Sequence, residues 1–249
     1  NYPDPMVLID KYGSDCLRLY LMSSPIMRAE NMNFSEKNVH ELQNKVINIL
    51  WNLYGFYALY IKSKKPKGNK PATANYQLAS LHVMDRWLLS KTATLVEEVT
   101  ARMDTYDVVG ACRLLMDFTT EFSTWYLRLS RERLRSTEVS ESSEIYTRVL
   151  IILCKLFAPF IPFITESVFQ GITDSESSIH LTDYPKISDL EVFIDTALES
   201  EMSVIQKVTE SAHAQRKEQQ IKVRQPLAKV IVSTSDDRPD DSLLEVLQE

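Results

Sequence analysis

Residues 35–60 read SEKNVHELQNKVINILWNLYGFYALY. Ser35 is a good N-cap, because its hydroxyl can accept an orphan amide of a first helical turn, and Glu36 complements the positive end of a helix. Val39, Leu42, Val46, Ile49, Leu53, Phe56 and Tyr60 then recur at steps of three and four. That spacing lays one continuous apolar stripe along a long helix. A single stripe must be covered, so this stretch predicts a helix packed against other helices.

Working outward, the pattern repeats. KSKKPKGNKP at 62–71 ends the helix with two prolines, a glycine and five lysines, and reads as a solvated loop. A second helix is predicted from about Asp85 to Met103, with Leu88, Thr92, Leu95 or Val96, Val99 and Met103 on one side. A third starts near Asp107, a cap, and carries Val109, Cys112, Leu115 or Met116, Phe122 and Leu129 to the end of an arginine-rich stretch. The polar run 136–144 is a loop, and Ser142 or Ser143 caps a fourth helix holding Ile145, Val149, Ile152, Leu153 and Leu156. APFIPF at 158–163 breaks it, since each proline removes an amide donor and clashes one turn back; ITESVF adds a turn or two. Residues 171–189 read as loop with an extended piece at SIHL, and a fifth long helix covers roughly 190–217.

The two ends read differently. YPDP is extended or turning, Asp15 to Met22 forms a short helix, and RAENMNF at 28–34 suits a short strand. IKVRQPLAKVIVST at 221–234 alternates apolar and polar residues, which is strand character. The expected fold is therefore mainly α: an antiparallel helical bundle over 39–217, a connector over 1–38, and the start of a mixed α/β region over 218–249. No internal repeat is visible.

Composition narrows the chemistry. The 249 residues can bury a real core, and 44% hydrophobic with 25% charged residues is ordinary for a globular protein. Only five glycines argues against phosphate-cradling loops and favours long unbroken helices. Cys16, Cys112 and Cys154 stand far apart, so neither a zinc site nor a disulfide framework is indicated. His40, His82, His180 and His213 are isolated, and no carboxylate pair stands out, so no catalytic residue and no metal ligand is assigned. There is no signal peptide and no apolar run of membrane-spanning length. The chain starts at Asn1 without a methionine and reads as a piece of something larger.

One stretch contradicts the overall charge. The chain carries net charge -6, yet STWYLRLSRERLR at 123–135 sets four arginines directly after a Trp-Tyr pair. On a helix, Arg128, Arg131 and Arg135 share a side, Arg133 points elsewhere, and Leu127 and Leu134 stay toward the core. Two readings follow. The stretch is a solvated face with pairs such as Arg128–Glu132, each worth a few tenths of a kcal/mol. Or it is an RNA site, where guanidinium forks grip phosphates and Trp125 and Tyr126 stack on unpaired bases. The lysines at 62–70 offer a weaker, non-specific version of the same attraction. A helical scaffold that binds protein, with the arginines as its rim, is the alternative from another class.

The motifs carry a resemblance. NYPDPMVLIDKYGSDCLRLYLMSSP at 1–25 resembles the segment after the KMSKS signature of class I aminoacyl-tRNA synthetases, with Ser14 and Cys16 where GADALRLYL is usual. NMNFSEKNVHELQNKVINILWNLYGF resembles the first helix of their anticodon-binding domain. MDRWLLSKTATLVEEVTARMDTYDVVGACRLLMDFTTEFSTWYLRLSRERL, LFAPFIPFITESVF, SSIHLTDYP and IKVRQPL continue the pattern over nearly the whole chain. Together they are similar to the isoleucyl, valyl and leucyl group, most of all to isoleucyl-tRNA synthetase of the archaeal and eukaryotic style, with valyl enzymes as the runner-up. Leu129 follows Arg128 where the family often has a second arginine, and Leu134-Arg135 replaces its aromatic-Trp pair.

That resemblance implies a function and a partner. The complete enzyme would use ATP and Mg²⁺ to join isoleucine to its tRNA, with no cofactor held in this piece and no adenylate formed by it alone. The partner would be the isoleucine-accepting tRNA, bound by a cytoplasmic monomer that does not engage a membrane. The residues expected to face RNA, or to shape the helix that does, are Arg128, Arg131, Arg133, Arg135, Trp125, Tyr126, Lys222 and Arg224. Arg113 also matches a family arginine and is expected to be structural.

Overall fold

Asp4 starts the first helix. Its side chain accepts the N–H of Met6 at 2.9 Å, and Pro5 presets φ at the first helical position, so α1 runs Pro5–Tyr12. Within YPDP, Asp4 is extended and Pro5 opens the helix; Tyr2 and Pro3 lie outside the described residues. Gly13, at φ 83, turns the chain into α2, Ser14–Met22, in backbone territory that costs glycine nothing. The computed structural model describes residues 4–64, 78–136, 141–174, 176–222 and 225.

Residues 28–34 do not form the expected strand. A 3₁₀ turn, Pro25–Arg28, leads into irregular backbone. Side chains hold it instead: the Ser35 N–H donates to the Tyr20 hydroxyl at 3.0 Å, and the Phe34 ring packs edge-on to Tyr20. Among the described residues there is no strand for it to pair with.

Ser35 then caps α3, Glu36–Leu42, by accepting from Asn38 at 3.4 Å. The helix continues through a wide π turn, Gln43–Ile47, into α4, Asn48–Phe56, and through a second, Tyr57–Ile61. Each wide turn adds a residue to the local ladder and shifts the phase of the stripe. The buried line becomes Val39, Val46, Leu50, Leu53, Phe56, Tyr57 and Ile61, with Ile49 and Tyr60 at its half-buried edge.

Helix α5, Val83–Asp104, starts two residues before its predicted position because the His82 imidazole accepts the Met84 N–H at 3.2 Å. Its first half is buried almost all round, from Met84 through Trp87, Leu88, Leu89, Ser90, Thr92 and Ala93. Around it pack α6, Val108–Glu121, the segment that follows α6, the turns between 187 and 193, and a later helix, Glu141–Phe157. Asp107 caps α6 as expected, accepting from Gly110 at 3.1 Å. α6 runs through a π segment, Phe122–Leu127, into α7, Arg128–Arg135, and α8 is Glu141–Phe157. Ser142 and Ser143 are not its cap; both lie buried inside its first turn.

The prolines break the chain at 158–161, and α9, Pro162–Thr173, follows. SIHL is a 3₁₀ turn, Ile179–Leu181, not an extended piece. Glu166 draws it in, accepting from Ser178 Oγ at 3.0 Å and from the Ile179 N–H at 2.9 Å. The centre of the bundle is aromatic: Phe122 lies 5.0 Å from Tyr146 and 5.8 Å from Tyr126, ring centre to ring centre.

The chain divides into two compact units, 1–194 and 195–249. In the second, Asp195 caps α10, Thr196–Glu218, shorter at its start than the predicted helix. Of the loop predicted at 62–71, Lys62–Lys64 form a 3₁₀ turn; residues 65–71 and most of the strand predicted at 221–234 lie outside the described residues.

Candidate nucleic-acid interface

Helix α7 carries its charge outward. Leu127, Ser130 and Leu134 are buried against the bundle, while Arg128, Arg131 and Arg135 are exposed along one flank at steps of three and four. Arg135 is partly occupied: its guanidinium lies 5.2 Å from the centre of the Tyr60 ring, and Nη1 is 3.7 Å from Glu132. Among the described residues, neither Arg128 nor Arg131 makes an ion pair. The Arg128–Glu132 pair of the solvated-face reading is therefore not formed. Two guanidinium groups without a carboxylate partner among the described residues stand on one helix flank, geometry suited to phosphate oxygens.

Arg133 turns inward. It reaches Asp85 with both ends of its fork, Nη1 to Oδ2 and Nη2 to Oδ1, each at 3.1 Å. Asp85 is 1% exposed. Its Oδ1 also accepts from the Tyr126 hydroxyl and its Oδ2 from Ser142, both at 2.6 Å. Arg133 Nη2 donates further to Ser130 Oγ at 2.8 Å. A buried carboxylate needs this compensation, because an unpaired one would cost several kcal/mol. One side chain of α5 thereby ties together the π segment, α7 and α8.

The network corrects the expectation for Tyr126. The ring is fully buried, with its hydroxyl spent on Asp85, so it offers no face to a base. Burial first, then the neighbouring carboxylate, push its phenol pKa well up. Trp125 is half-buried. Lys222, in the second unit, is exposed, and its carbonyl accepts from Arg216 Nη1 at 3.1 Å. Arg224 lies outside the described residues. Arg113 is exposed on α6. Sequence reading passed over Asp85, taking it only as the approximate start of a helix. Two signals pointed to it: a carboxylate close to the large apolar side chains Met84, Trp87, Leu88 and Leu89, and an arginine facing away from its three neighbours.

The three thiols are buried, and burial pushes Cys16 to about 11 and Cys112 to about 12. They are inert packing groups. Among the described residues no group of three or more His, Cys, Asp or Glu side chains could hold a metal ion, and no helix is long and apolar enough to cross a membrane.

Residues 85–232 match the family model of the anticodon-binding domain of tRNA ligase, beginning at Asp85 itself. The chain belongs to that family. It is similar to the isoleucine–tRNA ligases of Mycobacterium tuberculosis, 36% identical over 94% of this chain, and of Chlamydia trachomatis serovar D, 38% identical over 96%. That of Protochlamydia amoebophila is 35% identical over 98%. The chain spans only 21–24% of their length. The fold resembles the LeuRS of Agrobacterium radiobacter K84, solved in a ternary complex with tRNA and LeuAMS. The TM-score is 0.54 at 18% identity, covering 78% of this chain and 22% of that one. The expected mainly α anticodon-binding bundle is thus the observed one.

Proposed function

We propose that this anticodon-binding domain docks the isoleucine-accepting tRNA for an isoleucine–tRNA ligase, and that the flank of α7 grips the tRNA backbone. The observation that carries the reading is the pair of exposed guanidinium groups of Arg128 and Arg131, without an ion-pair partner among the described residues, on a helix held in place from beneath. Relatives of one amino-acid specificity, matched along nearly the whole chain, support isoleucine over valine. Arg135, on the same flank, adds a third cation. Arg133 supports the helix instead of reaching RNA. A monomer working in the cytoplasm is part of the same proposal.

The division of labour follows from the residues present. Phosphates steer and hold the tRNA through charge, while loop bases supply selectivity. The described residues do not fit ATP and Mg²⁺: they contain no cluster able to hold a metal ion, and the sequence has no glycine-rich phosphate loop. Those groups belong to the remainder of such a ligase, and this chain alone should not form an adenylate.

Side-by-side titration of the chain with isoleucine and valine tRNA transcripts tests the reading. Tighter binding of the isoleucine transcript is expected. Equal binding, or preference for the valine transcript, would overturn the assigned specificity.

A further inference from the structure

We infer that Asp85 is the positioning residue of the tRNA-docking flank, an inference that rests on the docking function proposed above. The arginines that face solvent and the arginine that does not share one short helix. Which of them points out depends on the rotation of α7 about its axis. That rotation is set at the π segment Phe122–Leu127, immediately before α7. A π turn holds one more residue than an α turn. Closing it to regular α geometry would turn all of α7 by about 100°, the angle of one residue. The flank carrying Arg128 and Arg131 would then no longer face the same way.

Asp85 grips both sides of this junction. Tyr126, inside the π segment, donates to Oδ1, and Arg133, seven residues on in α7, donates to both oxygens. Ser142 of α8 fills the remaining direction at Oδ2. Only one rotation of α7 satisfies the three contacts made by Tyr126 and Arg133. An apolar cluster of equal volume would pack the helix as firmly, since buried ion pairs add little net stability over apolar replacements. It would not select one rotation, because apolar contact is non-directional. The ion pair supplies that direction.

The test compares affinity with stability in the whole chain, using the isoleucine tRNA transcript. Asp85→Asn keeps the volume but strips the charge that holds Arg133. At a temperature where circular dichroism shows the variant folded, it should bind about tenfold more weakly. Its dependence of log affinity on log salt should also be shallower, because phosphate contacts are lost. Adding Arg133→Gln removes the orphaned cation and should recover part of the stability but not the affinity, because no ion pair is left to select the rotation. A lower melting temperature with unchanged affinity and slope would make Asp85 merely structural and overturn the inference. If Asp85→Asn does not fold, Tyr126→Phe, which keeps the ion pair, should still weaken binding by a measurable factor; unchanged binding overturns the inference equally. Arg128→Gln with Arg131→Gln is the control. If that pair leaves binding unchanged, the docking reading fails, and the inference with it.

Discussion

Asp15 Oδ2 accepts the N–H of Ile164 at 2.7 Å, across 149 residues of chain. Its other oxygen accepts from Phe163 at 3.3 Å. Asp15 of α2 thus caps α9, whose own N-cap residue, Ile161, has no side chain able to do so. Arg18, one turn along, donates to the carbonyls of Pro159 and Phe160 at 3.1 and 3.3 Å. The GSDCLR and APFIPF motifs form one joint. Asp15→Ala should cost about 1–2 kcal/mol, the usual loss for a missing cap, read from urea unfolding. An unchanged midpoint would show that the joint contributes nothing.

Asp107 gives the fold an acid-sensitive point. Arg102 at 2.6 Å, then the Gly110 amide and Arg28, hold its carboxyl below the ordinary 3.8. The unfolded chain therefore takes up this proton first as pH falls. The ionised group's contribution is fully present above 3.8 and is lost as pH drops through the lower folded value. Asp107→Asn should be less stable than the parent at neutral pH, and the gap should narrow below 3.8. A gap constant with pH would contradict this account.

Tyr146 joins two long helices at the bundle centre. Its hydroxyl donates to the Leu53 carbonyl at 2.8 Å, and its ring is fully buried. Tyr146→Phe should cost about 1 kcal/mol for the lost buried hydrogen bond. Tyr146→Ala should cost about 3–5 kcal/mol, because a large cavity is left. Chemical denaturation of the two variants measures both, and equal losses would mean that the ring's packing adds nothing beyond the hydrogen bond.

Helix positions were legible because they depend on local signals. Ser35 and Asp107 cap where the sequence places them, and the prolines end α8 where expected. Periodicity could not show that α5 is enclosed on nearly every side, because a stripe count registers only one face. It also missed the π turns, which shift the buried line of α3 and α4 without changing composition. The 3₁₀ turn at Ile179 depends on Glu166, a cap supplied from another helix. At the site, the outward flank of Arg128, Arg131 and Arg135 was readable from spacing. The inward bond of Arg133 to Asp85 was not, since its partner stands 48 residues away.

The central claim is that the outward guanidinium groups of α7 hold tRNA phosphates. The salt dependence of isoleucine tRNA binding, measured for the parent and for Arg128→Gln with Arg131→Gln, tests it most directly. Losing two phosphate contacts should make the log–log slope shallower by about 1.5, at roughly 0.7–0.9 per contact. Affinity at low salt should fall at least about tenfold. The same slope and the same affinity in parent and variant would contradict the account.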